Sequence, residues 1–348
     1  MLKIGIATTM DDRAPSYHLR FRSVLEALRR DGQLTYYPII RKRLFGSRHR
    51  LSFEEGTDRI LIARMRTPDY LKMIYDHAAD RKIPVIYESD DLVLYERRRD
   101  EFIPQADMVA AYLQMASCLV VSTPYLGDEL RYYNHRAFVF PNLVDPDIWQ
   151  LPGSIGRREN GRIRICCIGT GLMSENISLI VPAIENCGRR YGRDVVFWLW
   201  GNAKYLGEKV GKLKNVRISD KRMPYRLFAR RLQREAFDIG VVPLSDLRFN
   251  RAKSNIKYLE YAVSGIPAIF SRVEAYAGLF DGETCLLAEN DPDAWQEKIE
   301  RLIEDGGLRT ALADRAFEDV RSRFVLDREW MQKYLLILED AGDGIQPE

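Results

Sequence analysis

Two lysines and a glutamate recur at helical spacing in the segment 253–267, opposite the apolar residues of a predicted helix that ends at Gly265. A Ser/Asn cap signal at Ser254 and Asn255 marks the start of this helix. Lys253 and Lys257 put ammonium groups near that start, and Glu260 follows one turn later. Ammonium and free backbone N–H groups at a helix start neutralise a diphosphate, and a carboxylate accepts two hydrogen bonds from a ribose diol. The same spacing also fits a solvated charged face with a Lys–Glu ion pair, so two interpretations stay open.

A glycine-containing turn follows the predicted strand 164–169. Gly169, Thr170 and Gly171 would let the backbone approach a phosphate, and the next helix could direct its N-terminus at the same group. Glycine is also common in ordinary strand-to-helix turns, so this motif is weak evidence by itself.

Three carboxylates follow the predicted strand 83–87 in the N-terminal half. Glu88, Asp90 and Asp91 come at the carboxyl end of this strand, which is where parallel α/β sheets bind ligands. Asp90 or Asp91 could bind a substrate hydroxyl or act as a general base. The alternative is an N-cap for the following helix.

Further candidates lie near the ends of two other N-terminal elements. In the first predicted helix, His18 could be catalytic, although a lone histidine at a helix start also fits a structural role. Arg20 is the better candidate for an anion contact. Arg64 and Arg66 come after Ala63, at the end of the predicted strand that begins at residue 58, and would project from its carboxyl end.

The elements that must position these residues alternate between strand and helix in both halves of the chain. A length of 348 residues is enough for two domains with separate cores. Apolar strands at 3–7, 58–64, 83–87 and 118–122 predict one parallel sheet covered by helices, and a second alternation starts at residue 164. The stretch 151–161 has the composition of a linker.

Composition narrows the classes of function. Hydrophobic content of 46% and charged content of 30% are typical of a globular protein. We find neither a membrane-spanning apolar run nor a signal-peptide core, and therefore expect a cytoplasmic protein. Five cysteines and four histidines show no metal-ligand spacing. Net charge is only +3, but basic clusters at 41–50 and 97–99 suit an anionic acceptor or an anionic membrane surface.

The region of the predicted helix resembles the donor-site signature of GT-B glycosyltransferases. The resemblance lies in Pro-Leu at 243–244, in the run 249–261 and in Gly-Ile-Pro at 265–267, and it is nearest to the GT4-like (group 1) branch of bacterial polysaccharide and O-antigen clusters. A residue at the position of Glu260 binds ribose in that family. One departure is Ala252, which stands where the signature carries another glutamate.

The resemblance implies a GT-B fold, in which two Rossmann-like domains have parallel sheets that face across a cleft. It implies an acceptor-side domain at 1–150, a nucleotide-sugar domain at 151–326, and a C-terminal helix at about 327–345 that crosses back to the first domain. In the family, Tyr225 lies where it could stack on the base, although it could equally pack the following helix.

The candidate site residues fall into three groups. The catalytic candidates are Asp90, Asp91 and Lys257. The donor-binding candidates are Gly169, Thr170, Gly171, Gly201, Asn202, Tyr225, Lys253, Ser254, Asn255, Lys257 and Glu260. The acceptor-side candidates are Tyr17, His18, Arg20, Arg64, Arg66 and Glu88.

These implications predict a retaining, metal-independent glycosyltransferase that moves a sugar from a nucleotide-diphosphate sugar to a glycan or lipid-linked hydroxyl. No cofactor is expected beyond the donor substrate. Peripheral contact with the inner membrane face through the basic clusters fits this function. Three alternatives stay open: a sugar-nucleotide 2-epimerase, a non-catalytic nucleotide-sugar-binding scaffold, which Ala252 favours, and a transferase acting on modified nucleic acid.

Overall fold

The computed structural model describes residues 1–43, 49–151, 161–169, 174–201, 208, 210–219 and 223–342. The chain divides into two compact units. The first unit comprises Met1–Leu143, Leu247–Ser254 and Leu326–Glu348, and the second comprises Val144–Asp246 and Asn255–Val325.

The described residues form strands in both units. In chain order they are β1 (Leu2–Thr8), β2 (Leu34–Pro38), β3 (Arg41–Arg43), β4 (His49–Leu51), β5 (Arg59–Ala63), β6 (Val85–Ser89), β7 (Cys118–Val121), β8 (Ala137–Val139), β9 (Ile163–Ile168), β10 (Val195–Trp200), β11 (Val216–Ser219), β12 (Ile239–Val242), β13 (Ala268–Ser271) and β14 (Leu286–Ala288).

A π-helical stretch, Tyr17–Arg22, leads directly into the first α-helix, and a short 3₁₀ turn covers Glu274–Tyr276. The α-helices are α1 (Ser23–Arg30), α2 (Pro68–Arg81), α3 (Ala106–Met115), α4 (Pro124–Arg131), α5 (Ser174–Ser178), α6 (Val181–Tyr191), α7 (Tyr225–Glu235), α8 (Arg248–Arg251), α9 (Ile256–Ala262), α10 (Pro292–Glu304), α11 (Gly306–Arg323) and α12 (Arg328–Asp340).

The first unit is built on a parallel sheet in the order β2-β1-β5-β6-β7-β8. Alternate residues of β5 enter different cores, because side chains point to opposite faces of a strand. Ile60 and Ile62 join the apolar cluster that includes α2 and α3 residues, whereas Leu61 joins the cluster that includes α1 residues. Both faces of the sheet are therefore buried, which explains the nearly continuous apolar runs of its central strands.

The C-terminal helix belongs to the first unit. Tyr334 and Leu338 of α12 are fully buried in the same apolar cluster as Leu25 and Phe140. The side chain of Asp327 caps this helix by accepting a hydrogen bond from the N–H of Trp330 at 3.0 Å. The return of the C-terminus to the first unit agrees with the GT-B resemblance.

The second unit is built on another parallel sheet, in the order β11-β10-β9-β12-β13-β14. Residues of β9, β10 and β12 share one apolar cluster with residues of α6, α10 and α11. Two α/β units of this kind confirm the predicted fold class, and they put the carboxyl ends of β9 and β10 at one edge, where sheets of this type bind ligands.

Residues 247–254 join the first unit, although the sequence prediction put them in the second domain. Phe249 and Ala252 are buried in the apolar cluster of the first unit, and the hydroxyl of Thr123 donates to the Ala252 carbonyl at 3.5 Å. The chain passes into the second unit only at Asn255. Among the described residues, no helix is long and apolar enough to cross a membrane.

Candidate functional site

The helix α9 begins where the Ser/Asn cap signal predicts its start. Its first residue is Ile256, so Lys253 and Ser254 precede it, and Asn255 stands at its N-cap position without a side-chain hydrogen bond to the helix. Gly265, which follows the helix, has φ +69°, a left-handed conformation that favours glycine. Lys257 and Glu260 therefore share a helix, whereas Lys253 is held in the first unit.

Tyr225, Lys257 and Glu260 form a group of polar contacts in the second unit, which we call the second-unit cluster. The Glu260 carboxylate is 1% exposed. Its Oε1 accepts a hydrogen bond from the Tyr225 hydroxyl at 3.1 Å, and its Oε2 accepts one from the Lys257 ammonium. These two donors fix the orientation of the carboxylate while each oxygen keeps a lone pair for another donor.

The Tyr225 ring is fully buried rather than available for stacking. It packs parallel to the Phe228 ring with centroids 5.9 Å apart, and it meets the Trp149 ring edge-on at 5.8 Å. Burial, together with the negative charge of Glu260, raises the Tyr225 pKa well above its usual value, so its hydroxyl stays a donor.

The glycine turns lie at the carboxyl ends of neighbouring strands in the second sheet. Gly169 follows β9, and its N–H donates to the carbonyl of Trp200 at 2.9 Å. Gly201 follows β10, and its N–H donates to the carbonyl of Ser219 at 2.9 Å. The other predicted turn residues, Thr170, Gly171 and Asn202, lie outside the described residues.

The second group of candidates, which we call the first-unit cluster, is centred on Asp90 and Asp91, which follow β6. Arg64 bridges the two carboxylates, with Nη1 at 3.1 Å from Asp90 and Nη2 at 2.9 Å from Asp91. The Ser16 hydroxyl also donates to Asp90. Both carboxylates are buried, so this bridging cation offsets much of the cost of removing them from water.

Three further cations act on Asp91 besides Arg64, and they come from separate segments of the chain. Arg97 approaches it to 3.6 Å, while Arg66 and Lys253 contribute to its electrostatic surroundings. Although burial opposes ionisation, Arg64, Lys253 and the other cations lower the Asp91 pKa. Burial lowers the pKa of Lys253, although the negative charge of Asp91 acts to raise it.

Arg20 and Glu88 form a fully buried ion pair next to this cluster. The Arg20 Nε donates to Glu88 at 2.6 Å, and its Nη1 donates to the Phe140 carbonyl. Burial raises the Glu88 pKa to about 7 despite the opposing charge of Arg20. Both side chains are 1% exposed, so Arg20 holds β6 and the segment after β8 together in this structure.

The remaining acceptor-side candidates have internal partners. His18 Nε2 lies 2.9 Å from the Asp12 carbonyl, to which it donates, and the hydroxyl of half-buried Tyr17 accepts from Arg22 at 3.2 Å. The Ser254 hydroxyl accepts a hydrogen bond from the Asn142 side chain at 2.6 Å. This contact ties the segment before α9 to the end of the N-terminal part of the first unit.

Sequence reasoning missed several of these partners. Ser16, Arg97 and Asn142 contact predicted site residues from distant positions, and Trp149 and Phe228 enclose Tyr225. The only signal for Arg97 was its place in the basic run 97–99, which does not indicate a carboxylate partner. Among the described residues, no group of three or more His, Cys, Asp or Glu side chains is arranged to hold a metal ion.

Comparisons with known proteins agree with this architecture. Residues 182–335 match the family model described as glycosyl transferase-like. No curated protein sequence matches the chain significantly. A sucrose-phosphate synthase from Thermosynechococcus elongatus is similar in structure, with a TM-score of 0.72 and 13% identity over 99% of this chain and 100% of that one.

Two further solved structures are similar to the chain. Anabaena HepE, in complex with UDP and glucose, has a TM-score of 0.66 and 14% identity over 97% of this chain and 100% of that one. Staphylococcus aureus TarM, in complex with UDP and α-GlcNAc-glycerol among other ligands, has a TM-score of 0.62 and 13% identity over 83% of this chain. The chain spans only 56% of the TarM chain. The chain thus shares its two-unit α/β fold with these solved structures, and residues 182–335 are similar to glycosyl transferases.

Proposed function

We propose that the protein transfers a sugar from a nucleotide-diphosphate sugar to a hydroxyl group of a glycan or lipid-linked acceptor, as a GT4-like enzyme. The observation that carries this proposal is the fixed carboxylate of Glu260, with one oxygen held by Tyr225 and the other by Lys257. A carboxylate held in one orientation can bind the two hydroxyls of a ribose at a small entropic cost.

Lys257 supplies the charge that the leaving diphosphate requires. As the bond between the anomeric carbon and the diphosphate breaks, negative charge develops on the phosphate oxygens, and a preorganised ammonium group stabilises it. We further propose that Asn255 and the backbone of Gly169 add contacts to the phosphates and that Gly201 lies near the base. Tyr225 orients Glu260 in this scheme, because its ring is buried.

The first-unit cluster is proposed as the acceptor side. Asp91 has a lowered pKa, so it stays ionised and can accept a hydrogen bond from the acceptor hydroxyl. Arg64 already pairs with both Asp90 and Asp91, which supports a metal-independent role for these carboxylates. The GT4 resemblance by itself supports transfer with retention of the anomeric configuration.

UDP is the first nucleotide to test, because the solved structures of HepE and TarM contain it. A thermal-shift panel with UDP, GDP, dTDP and CMP should show selective stabilisation by one of them. A ligand present at about a hundred times its Kd stabilises a protein by roughly 2.7 kcal/mol. The stabilisation should disappear in Glu260→Gln.

Glu283→Gln is the matched control, since Glu283 is an exposed carboxylate of the same unit. It should keep the full nucleotide response. The donor-site assignment would be contradicted if no nucleotide raised the unfolding temperature of the unmodified protein, or if Glu260→Gln kept the same nucleotide-induced shift.

Turnover assays separate the proposed function from its alternatives. Release of nucleotide with NMR detection of a product in the donor's anomeric configuration is expected for a retaining transferase. Nucleotide binding without turnover would instead indicate a scaffold. Retention on a nucleic-acid column that falls steeply with salt would favour a nucleic-acid acceptor.

A further inference from the structure

Arg64 adopts a backbone conformation that non-glycine residues seldom adopt. Its φ is 51°, in the left-handed region, and such residues persist where the surrounding structure holds them, often at ligand sites. Its N–H donates to the Glu88 carbonyl at 2.8 Å, and its guanidinium reaches both Asp90 and Asp91. The positive charge of Arg64 is thus used by carboxylates of the same unit.

Three further cations lie near these two carboxylates, and the carboxylates are too few to neutralise all of them. The Arg66 guanidinium donates to the Leu92 carbonyl at 3.3 Å and makes no ion pair within the described part of the chain. Arg97 is 3.6 Å from Asp91, which Arg64 holds more closely. The Lys253 ammonium lies 5.3 Å from the centre of the Phe249 ring and likewise has no ion pair among the described residues.

Four cationic side chains therefore act on two carboxylates, which leaves a local surplus of positive charge. Burial lowers the pKa of Arg66 and of Lys253, so both cations are partly removed from water without a carboxylate of their own. A partly desolvated cation of this kind gains most from an anion that enters the site.

We propose that Arg66, Arg97 and Lys253 bind a phosphate group of a substrate, while Arg64 and the two aspartates fix their surroundings. This proposal rests on the proposed transferase function. Phosphate suits the site because its several oxygens can accept hydrogen bonds from separate cations at once, and arginine is well matched to its geometry. The phosphate belongs to a phosphorylated acceptor, because these cations surround the cluster proposed as the acceptor side.

Calorimetric titration of the full chain at low salt tests the site, with a hexose 6-phosphate, the unphosphorylated hexose and UDP as probes. The variants are Arg66→Ala and Arg97→Ala, and Arg98→Ala is the control because Arg98 is exposed in the same loop. Loss of one hydrogen bond to a charged group should weaken binding of a phosphate-bearing probe about tenfold to a hundredfold. Arg98→Ala should bind like the unmodified protein.

UDP distinguishes an acceptor phosphate from the donor's diphosphate. Weaker binding of the hexose 6-phosphate with unchanged binding of UDP supports the acceptor site. The proposal is refuted if binding of the hexose 6-phosphate is weakened in neither variant, if UDP binding is weakened equally, or if the unphosphorylated hexose binds as tightly as its phosphate. The donor-site assignment is tested separately, by the loss of UDP stabilisation in Glu260→Gln. Unfolding temperatures of the ligand-free variants check that each variant is folded. Arg97→Ala should fold normally, because the Arg97 side chain is exposed.

Discussion

The two clusters differ in how their charges are balanced. In the second-unit cluster, one ammonium and one carboxylate come from neighbouring turns of the same helix, and Tyr225 completes the set. In the first-unit cluster, the partners come from separate segments of the chain, and cations outnumber carboxylates. The fixed Glu260 carboxylate suits recognition of ribose hydroxyls next to the diphosphate proposed for Lys257, whereas the surplus of cations in the first-unit cluster suits an anionic group of the acceptor. We therefore expect different ligand chemistry at the two clusters.

Ala252→Glu should have the largest effect, because it puts the glutamate of the GT-B signature at a position that the first unit buries completely. An unpaired carboxylate in this apolar cluster should lower the free energy of unfolding by about 3–5 kcal/mol. Urea unfolding measures the change, and Ala252→Gln, of nearly the same size but neutral, separates charge from volume. If Ala252→Glu were as stable as the unmodified protein, residue 252 would not lie in the apolar core of the first unit.

The Arg20–Glu88 pair predicts a pH effect of intermediate size. The folded-state pKa of Glu88 is about 7, above its usual value of 4.5, so its contribution to stability is full at low pH and is lost as pH rises toward and through 7. Between pH 5 and pH 8, the free energy of unfolding of the unmodified protein should therefore fall relative to that of Glu88→Gln. The fall is at most roughly 1.4 kcal/mol per pH unit.

Glu101→Gln provides the control for this pH series, since Glu101 is an exposed carboxylate of the same unit. Its stability profile should superpose on that of the unmodified protein. A stability difference for Glu88→Gln that stays constant from pH 5 to pH 8 would contradict the raised pKa of Glu88.

The smallest expected effect tests whether Tyr225 acts through Glu260. Tyr225→Phe removes one hydrogen bond to the carboxylate and should weaken binding of the preferred nucleotide by about 1 kcal/mol, roughly fivefold. KM for the donor should rise more than kcat falls, because the ribose contact belongs to donor binding. Tyr258→Phe is the matched control, since the Tyr258 hydroxyl donates to Asp319 at 2.7 Å instead. Equal losses of affinity in both variants would argue against the positioning role.

Much of the fold was predictable from local pattern. The apolar strands β1, β5, β6 and β7 are buried on both faces, so their sequences show nearly continuous apolar runs. The strand β2 and the antiparallel pair β3–β4 were not predicted. Arg41–Arg43 in β3 has no apolar residue, so periodicity gives no signal for this short pair.

The site was predictable where its partners are close in sequence. Lys257 and Glu260 are three residues apart on one helix, so their pairing follows from helical geometry. The helical spacing also includes Lys253, but the cap signal at Ser254 and Asn255 puts that residue before the helix, as in the structure. The spacing gives no information about the burial of Phe249 and Ala252, which holds the segment with Lys253 in the first unit.

Local sequence is enough to predict two α/β units, the spacing that pairs Lys257 with Glu260 and the carboxylates that follow β6, because each depends on residues near one another along the chain. The folded chain was needed to find that Lys253 lies near Asp91 and that Arg20 pairs with Glu88. Charge compensation in a buried site acts through space, between segments that the sheet topology brings together, and local sequence contains no record of it.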